Sequence, residues 1–337
     1  MAISCFVPKN AEQNTLINDN RKSDLHMRTA IISDIHGNYP ALVSVLADVK
    51  VNNVDKLVFI GDYIFDLPFS SDVVKLLMSL EDAVIIKGNK EARLPDMARE
   101  DQANWKYDQM GGAYQTFREL TPELYEYLCG LDDDRFVQLS EKTTLFASHL
   151  IDDNFVRAAV KNNCSSHKFH INMVKKPFTH EQYLAEFNEW INAAEQKTRI
   201  EKINADVIVF GHNHLQSYGY CGDKLVVNPG SCGLPLDYDN RAAYSIIEET
   251  NKGFIVHEKR VAYDFDYVIE KTRESTIYEK GKVWSELTFM SLRTGLDYYG
   301  LLFEIARGIA KEKSEESAFF SNSTWGEAYR IFKEKYK

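Results

Sequence analysis

Asp34 and His36 lie two positions apart, just past a short apolar run, and similar placements recur along the chain. Asp62 follows the run at 56–60, Asn89 the run at 83–87, and His149 the run at 143–148; His212 and His214 follow the run at 206–210. These are two carboxylates, one amide oxygen and four imidazoles, all oxygen or nitrogen donors. Such a set suits borderline divalent ions: manganese, iron, zinc or nickel. Seven protein ligands are too many for one catalytic ion that must keep an open position, whereas two ions sharing a carboxylate use them economically. One Asp-x-His or Gly-Asp pair alone is ordinary turn chemistry. Five such units, each at the end of an apolar run, are not explained by turns, and the glycines beside them let the backbone bend sharply next to a ligand.

The donors meet only if the strands that carry them share an edge. Residues 29–33 read as a buried strand, and Pro40 suits a first helical position before Leu42, Val45, Leu46 and Val49. The run at 56–60 is a second strand, Ser71 a candidate N-cap for a helix through Val73, Leu76, Leu77 and Leu80, and 83–87 a third strand. Strand–helix alternation predicts an α/β sheet, whose ligands bind beyond the carboxyl ends of the strands. Thr121 and Pro122 start a helix that Gly130 stops, and 135–140 with 143–148 read as a hairpin. A long insertion at about 150–205 holds a capping box at Thr179 and Gln182, then a stripe of Tyr183, Phe187, Trp190, Ile191 and Ala194. The stripe is read as packing against the body, with a lid over the substrate as the alternative. Residues 215–220, 225–228, 242–248 and 253–260 are expected to be successive strands of a second sheet.

The chain of 337 residues is 44% hydrophobic, ample for a core, and its net charge of −10 gives no general reason to hold duplex nucleic acid or an anionic membrane. An anionic substrate therefore requires a local reversal of the field, which bound cations supply. No apolar run reaches transmembrane length, and the first residues lack the pattern of a secretory signal. Cys5, Cys129, Cys164, Cys221 and Cys232 are odd in number and scattered, as in reduced thiols of a cytoplasmic protein. Residues 1–27 are expected to be a disordered leader, with Met27 an alternative start. Residues 28–264 are expected to form the catalytic domain and 265–337 an appended helical segment, docked on it or joining copies into a homo-oligomer. In that segment Tyr298, Leu301, Leu302, Ile305 and Ile309 form an amphipathic face, and Thr324 to Glu327 reads as a capping box.

Over roughly residues 28–264 the chain resembles the calcineurin-like metallophosphoesterases, in particular their small bacterial branch. The matching motifs are Asp34-Ile-His36-Gly-Asn38, Gly61-Asp62, Gly88-Asn89-Lys90-Glu91, His149, Gly211-His212-Asn213-His214 and Asn228-Pro-Gly-Ser231. The resemblance implies a four-layer α/β/β/α sandwich with a dinuclear centre between the sheet ends. By this resemblance Asp34, His36 and His214 hold one ion, Asn89, His149 and His212 the other, and Asp62 bridges them. It further implies a metal-dependent phosphoesterase in which a metal-bridging hydroxide attacks phosphorus directly, with Asp62, Asn89, Lys90 and His212 at the catalytic centre. Asn38, Lys90, Arg93 and Arg241 are the candidates for contact with a small phosphorylated substrate, such as a nucleotide. Within the class, dinucleoside polyphosphate hydrolase and protein phosphatase stay open; a non-catalytic scaffold of the same fold predicts gaps in the ligand set, and there are none.

Three departures from the family pattern bear on the pocket. Lys90 stands where the family often has a histidine that helps protonate the leaving oxygen; it is either a solvated turn lysine or a fixed charge on the phosphate. Leu150 replaces a common glycine, and Leu234 and Leu236 replace polar or basic residues, as an apolar pocket wall or as core. Cys232 and Ser231 lack the strand–nucleophile–helix elbow of a covalent catalyst, and His167, His170 and His180, in the long insertion, are read as polar side chains at the surface and not as a further metal site.

Overall fold

The computed structural model describes residues 27–151, 166–176, 179–315 and 319–336. Strands β1 (Arg28–Ile32), β2 (Lys56–Ile60) and β3 (Val84–Ile86) run parallel, with Ile31 opposite Val58 and Phe59 opposite Ile85. Helices α1 (Tyr39–Val51) and α2 (Ser70–Met78) make the crossovers. The Asn38 side chain caps α1 by accepting from the Ala41 amide at 3.2 Å, and Pro40 fills the first turn, where no amide hydrogen is needed. Helix α2 starts at Ser70 and has no side-chain cap, so the expected Ser71 cap is corrected; the Ser70 hydroxyl instead accepts from the Phe65 amide.

After α3 (Asn89–Ala92), α4 (Leu94–Arg99), α5 (Gly111–Glu119) and α6 (Pro122–Cys129), the second sheet begins with the antiparallel pair β4 (Asp134–Gln138) and β5 (Thr144–Ser148). Helices α7 (Ser166–Lys175), α8 (His180–Ile191) and α9 (Ala194–Glu201) precede β6 (Val207–Val209), β7 (Ser217–Cys221) and β8 (Lys224–Asn228). The sheet order is β4-β5-β6-β8-β7. Strands β9 (Ala242–Thr250) and β10 (Gly253–Val261) were expected in this second sheet, but they belong to the first, whose order is β10-β9-β1-β2-β3. The hairpin β7–β8 already completes the second sheet, and β9 takes the free edge of β1, antiparallel, with Ser245 opposite Ile31.

Period-two alternation with apolar residues on both faces makes the layers. Ile31, Val58 and Ile60 meet Leu145, Val207, Val209 and Val227 between the sheets. Ala30, Ile32 and Phe59 point the other way, into a core with Leu42, Val45 and Val73 of α1 and α2. On the far side, Ile208, Phe210 and Val226 pack against Tyr183, Phe187, Trp190 and Ile191 of α8, whose capping box is present. The α8 stripe is thus packing and not a lid, and Ala194 falls outside it, exposed at the start of α9.

Helices α10 (Phe265–Arg273), α11 (Thr276–Lys280), α12 (Lys282–Thr294), α13 (Tyr299–Glu312) and α14 (Asn322–Tyr336) follow. The last helix starts two residues before the expected cap: the Ser321 hydroxyl accepts from the Thr324 amide, and Thr324 donates to Glu315. Leu287, Leu302, Trp325 and Phe332 bury with Leu67 from the loop after β2 and with Leu234 and Leu236 from the loop after β8. The helical segment is therefore docked over the loop end of the sandwich, and the two leucines serve its core. The expected leader lies outside the described residues, apart from Met27. Among the described residues no helix is long and apolar enough to cross a membrane.

Phe332, fully buried, should be a sensitive reporter of this docking. Phe332→Ala is expected to cost about 3–5 kcal/mol in urea unfolding, as large-to-alanine truncations in cores do; a loss below about 1 kcal/mol would show α14 to be loosely held.

Candidate metal centre

Asp34, His36, Asp62, His212 and His214 all adopt left-handed backbone, with φ between 52° and 70°. For residues with a Cβ this is uncommon and costs about 1–3 kcal/mol each, so the surroundings must enforce it. The enforcement is backbone to backbone. Asp34 N donates to Gly61 O, His36 N to Asp62 O, Gly233 N to Asp34 O, and Gly211 N to His149 O, all within 3.2 Å. Glu91, fully buried, accepts from the amides of Asp62, Tyr63 and Gly88 at 2.8–2.9 Å and fixes two of the ligand-bearing loops to each other. Gly88 is obligatory beside it: a Cβ there would lie 2.3 Å from Asp62 Oδ1.

Held in this way, the donors form two adjoining clusters, Asp34 with His36 and His214, and Asp62 with His149 and His212. In the first, His36 Nε2 is 3.1 Å from His214 Nε2, and Asp34 Oδ1 is 3.2 Å from the same atom. In the second, Asn89 Oδ1 lies 3.0 Å from His149 Nε2 and 2.7 Å from His212 Nδ1. Asp62 stands between, with Oδ2 3.9 Å from His36 Nε2 and Oδ1 3.5 Å from His149 Nε2.

The outer ring nitrogens decide what the inner ones can do. His36 Nδ1 donates to Asp66 Oδ2 at 2.7 Å, His149 Nδ1 to the Ile60 carbonyl at 2.7 Å, and His214 Nδ1 to the Leu234 carbonyl at 2.6 Å. Each neutral ring so tied turns a lone pair inward. His36 then faces His214 lone pair to lone pair, His149 faces the Asn89 oxygen, and buried Asp34 Oδ1 has no hydrogen-bond donor. Positive charge must fill the gaps, and a divalent cation on each side fits this donor set. Without metal, protons do so. Burial disfavours the charged rings, but Asp34 and Asp66 outweigh it at His36, raising its pKa to about 9, and Asp62 does so at His149, raising it to about 10. Burial and the adjacent His149 push His212 down to about 3. Burial would raise Asp34, yet His214 and His36 hold it well below the usual carboxylate range.

Residues 27–252 match the Calcineurin-like phosphoesterase superfamily domain. The chain belongs to the calcineurin-like phosphoesterase superfamily. It is 25% identical over 265 residues to an uncharacterized protein of Methanocaldococcus jannaschii, covering 74% of this chain and 93% of that one. Among solved structures it is similar in fold to a metallophosphoesterase from Sphaerobacter thermophilus, with a TM-score of 0.54 and 20% identity over 80% of this chain and 100% of that chain. A hypothetical protein from Pyrococcus horikoshii OT3 shares the fold at a TM-score of 0.53 and 15% identity, over 80% and 99% of the two chains.

The calcineurin-like frame thus gathers all seven residues singled out at the strand ends. A chamber of about 180 Å³ opens in front of them, lined also by Lys90, Asp66, His170, Leu234, Leu236 and Trp284. Arg93 lies close by, in the wall of an adjoining cavity. Asn38 and Arg241 are not brought to the chamber. Both ends of the buried Asn38 amide are used, Oδ1 on Ala41 N and Nδ2 on the Gly233 carbonyl at 2.7 Å, and Arg241 is paired with Asp239 on an exposed turn. Ser231 donates to the Asp34 carbonyl, and burial pushes the Cys232 thiol far up, so neither is a nucleophile. His170 is buried, with Nε2 3.1 Å from the Asn213 carbonyl, contrary to the expected surface role; His180 is paired with Glu258. The sequence reading assigned nothing to Asp66, Glu91 or Trp284. Asp66 accepts from His36 on one oxygen and from Trp284 Nε1, at 2.6 Å, on the other. Its position four residues after Asp62 was the only signal.

Because protons occupy His36 and His149 below pH 9–10, cation binding near pH 7.5 should expel about two of them. Apparent affinity should then rise with pH and level off once those values are passed. Calorimetric titration of metal-stripped protein with manganese, in buffers of different ionisation enthalpy, reads the release; heats independent of buffer would contradict it.

Proposed function

We propose that this chain is a dinuclear metal-dependent phosphohydrolase acting on a phosphate ester or phosphoanhydride. The observation that carries the reading is the pair of adjoining buried clusters, in which Asp34 Oδ1 has no hydrogen-bond donor and the inner nitrogens of His36 and His214 face each other. Asp34, His36 and His214 would hold one ion, Asn89, His149 and His212 the other. Asp62, with one oxygen toward each cluster, would bridge them. Two divalent ions there would neutralise phosphoryl oxygens and lower the pKa of a bound water. They would also supply the positive charge that a chain of net charge −10 lacks. A cytoplasmic setting is supported by free thiols at Cys129, Cys221 and Cys232.

The residues of the chain do the positioning. Asp66 and the two backbone carbonyls fix three ring tautomers, so that Nε2 points inward before any ion arrives. The Asp62 carboxylate is oriented by the Lys90 amide, 2.9 Å from Oδ1. Lys90 Nζ sits 3.6 Å from Asp66, with its side chain 25% exposed toward the chamber. Burial works against its charge, but Asp66 and Asp62 outweigh it and raise its pKa. Lys90 is thereby held as a cation facing the chamber.

Metal-stripped protein given manganese should hydrolyse p-nitrophenyl phosphate, bis-p-nitrophenyl phosphate or a dinucleoside tetraphosphate. Asp62→Asn should lose about 10²-fold or more in turnover, the size seen when one electrostatic stabiliser is removed from an active site. Full activity in that variant, or turnover independent of metal, would refute the dinuclear reading. Lys90→Ala should lower kcat by about tenfold or more with metal content intact, as loss of a charge contact does, and the loss should be the same from pH 6 to 9. An unchanged kcat at every pH would remove Lys90 from the mechanism.

A further inference from the structure

Asp66, Asn89, Lys90, Trp284 and Phe303 line the chamber in front of the clusters and also one side of a second cavity, of about 410 Å³. The volume is that of a small-molecule site. Its aromatic walls are Trp284 of α12, Phe303 of α13, and Phe319 and Phe320 of the segment before α14. Two guanidinium groups stand on these rings, Arg93 5.7 Å from the centroid of Phe319 and Arg307 5.9 Å from that of Phe303. Among the described residues neither forms an ion pair with a carboxylate. With Lys90 they bring three cations to one cavity of an acidic chain, against one carboxylate, Asp66, among the described residues that line it.

The cavity is built into the fold. Helix α5 approaches the end of α11 so closely that a Cβ at Gly111 would lie 1.9 Å from the Lys280 carbonyl oxygen, and this contact brings Gln109 and Met110 to the cavity wall. The match to the superfamily domain ends at residue 252, and Trp284, Phe303, Arg307, Phe319 and Phe320 all lie beyond it.

Aromatic faces hold a flat ring, and guanidinium groups stacked on them offer their edges to anions. We propose that the second cavity is the leaving-group pocket of the site, and that it selects organic phosphates whose leaving group carries a planar ring and a further anionic group. This rests on the reading of the chain as a phosphohydrolase. A nucleoside 5′-diphosphate has the required chemistry: water adds to the terminal phosphorus, the anhydride P–O bond breaks, and orthophosphate, a proton and the nucleoside monophosphate result. The ring of the monophosphate would lie among the aromatic residues, and its phosphate would face Arg93 and Arg307.

The test uses the full chain loaded with manganese, with adenosine diphosphate as substrate probe and adenosine monophosphate as binding probe. Arg307→Gln, on an exposed position of α13, and Phe319→Ala are the variants; Arg241→Gln is the control. Calorimetry should show monophosphate affinity about tenfold weaker in each variant and unchanged in the control, the size expected for one charged or aromatic contact. The kcat/KM ratio of the diphosphate over p-nitrophenyl phosphate should fall by a similar factor in Arg307→Gln, through KM. Failure of the monophosphate to bind at millimolar concentration, equal affinity in wild type and both variants, or preference for a phosphoserine peptide would overturn the pocket. If the monophosphate binds through Arg307 but no phosphate compound is hydrolysed, the pocket stands and the hydrolase reading fails. If p-nitrophenyl phosphate is hydrolysed and neither variant affects monophosphate affinity, the hydrolase reading stands and the pocket fails.

Discussion

Two buried carboxylates, an amide oxygen and four imidazoles meet at the junction of two sheets, and the undonated Asp34 Oδ1 with the facing ring nitrogens of His36 and His214 creates a demand for positive charge. Most of the architecture around the centre can be understood as making that arrangement endure. Left-handed backbone at five of the donors turns each strand end sharply enough to aim its side chain inward, and it is tolerable only because neighbouring loops bond to each other through their main chains. Glu91 carries much of this work, since its one carboxylate gathers amides from two loops. Water cannot substitute for these bonds at such depth.

The same demand links the centre to the appended helices. Asp66 shares its two oxygens between His36 and Trp284, so a ring that faces the cation site is oriented by a carboxylate that α12 also grips. The helices after β10 thus reach the centre through a side chain and wall its chamber, besides burying an apolar face against Leu67, Leu234 and Leu236. A segment outside the superfamily match in this way shares in the site.

The parts of this structure legible in the sequence are those governed by local rules. Apolar runs of five residues betrayed the strands, and donors just beyond them betrayed the centre, because strand ends are where such a sheet presents chemistry. Sheet membership was not legible: β9 is apolar on both faces, as a central strand must be, and nothing in its pattern says which sheet it enters. Asn38 was misjudged because a capping amide and a substrate amide look alike until both ends are seen to be engaged. Asp66, Glu91 and His170 act through partners distant in sequence, so their roles exist only in three dimensions. Ser71 and Thr324 missed their helix starts by one and two residues, the ordinary uncertainty of a terminus.

The place of β1 in its sheet has a consequence for how the chain comes into being. Its antiparallel neighbour β9 is made more than 200 residues later, and His36 meets His214 across a separation of 178. During synthesis β1 and β2 therefore wait, with one sheet edge open, until the whole second sheet has been produced and the chain has returned. Closing so long a loop is entropically slow, and an uncovered edge in the interval invites pairing with other chains. The last of the seven donors, His214, precedes β9 in the chain, so every donor is made before the open edge of β1 is covered.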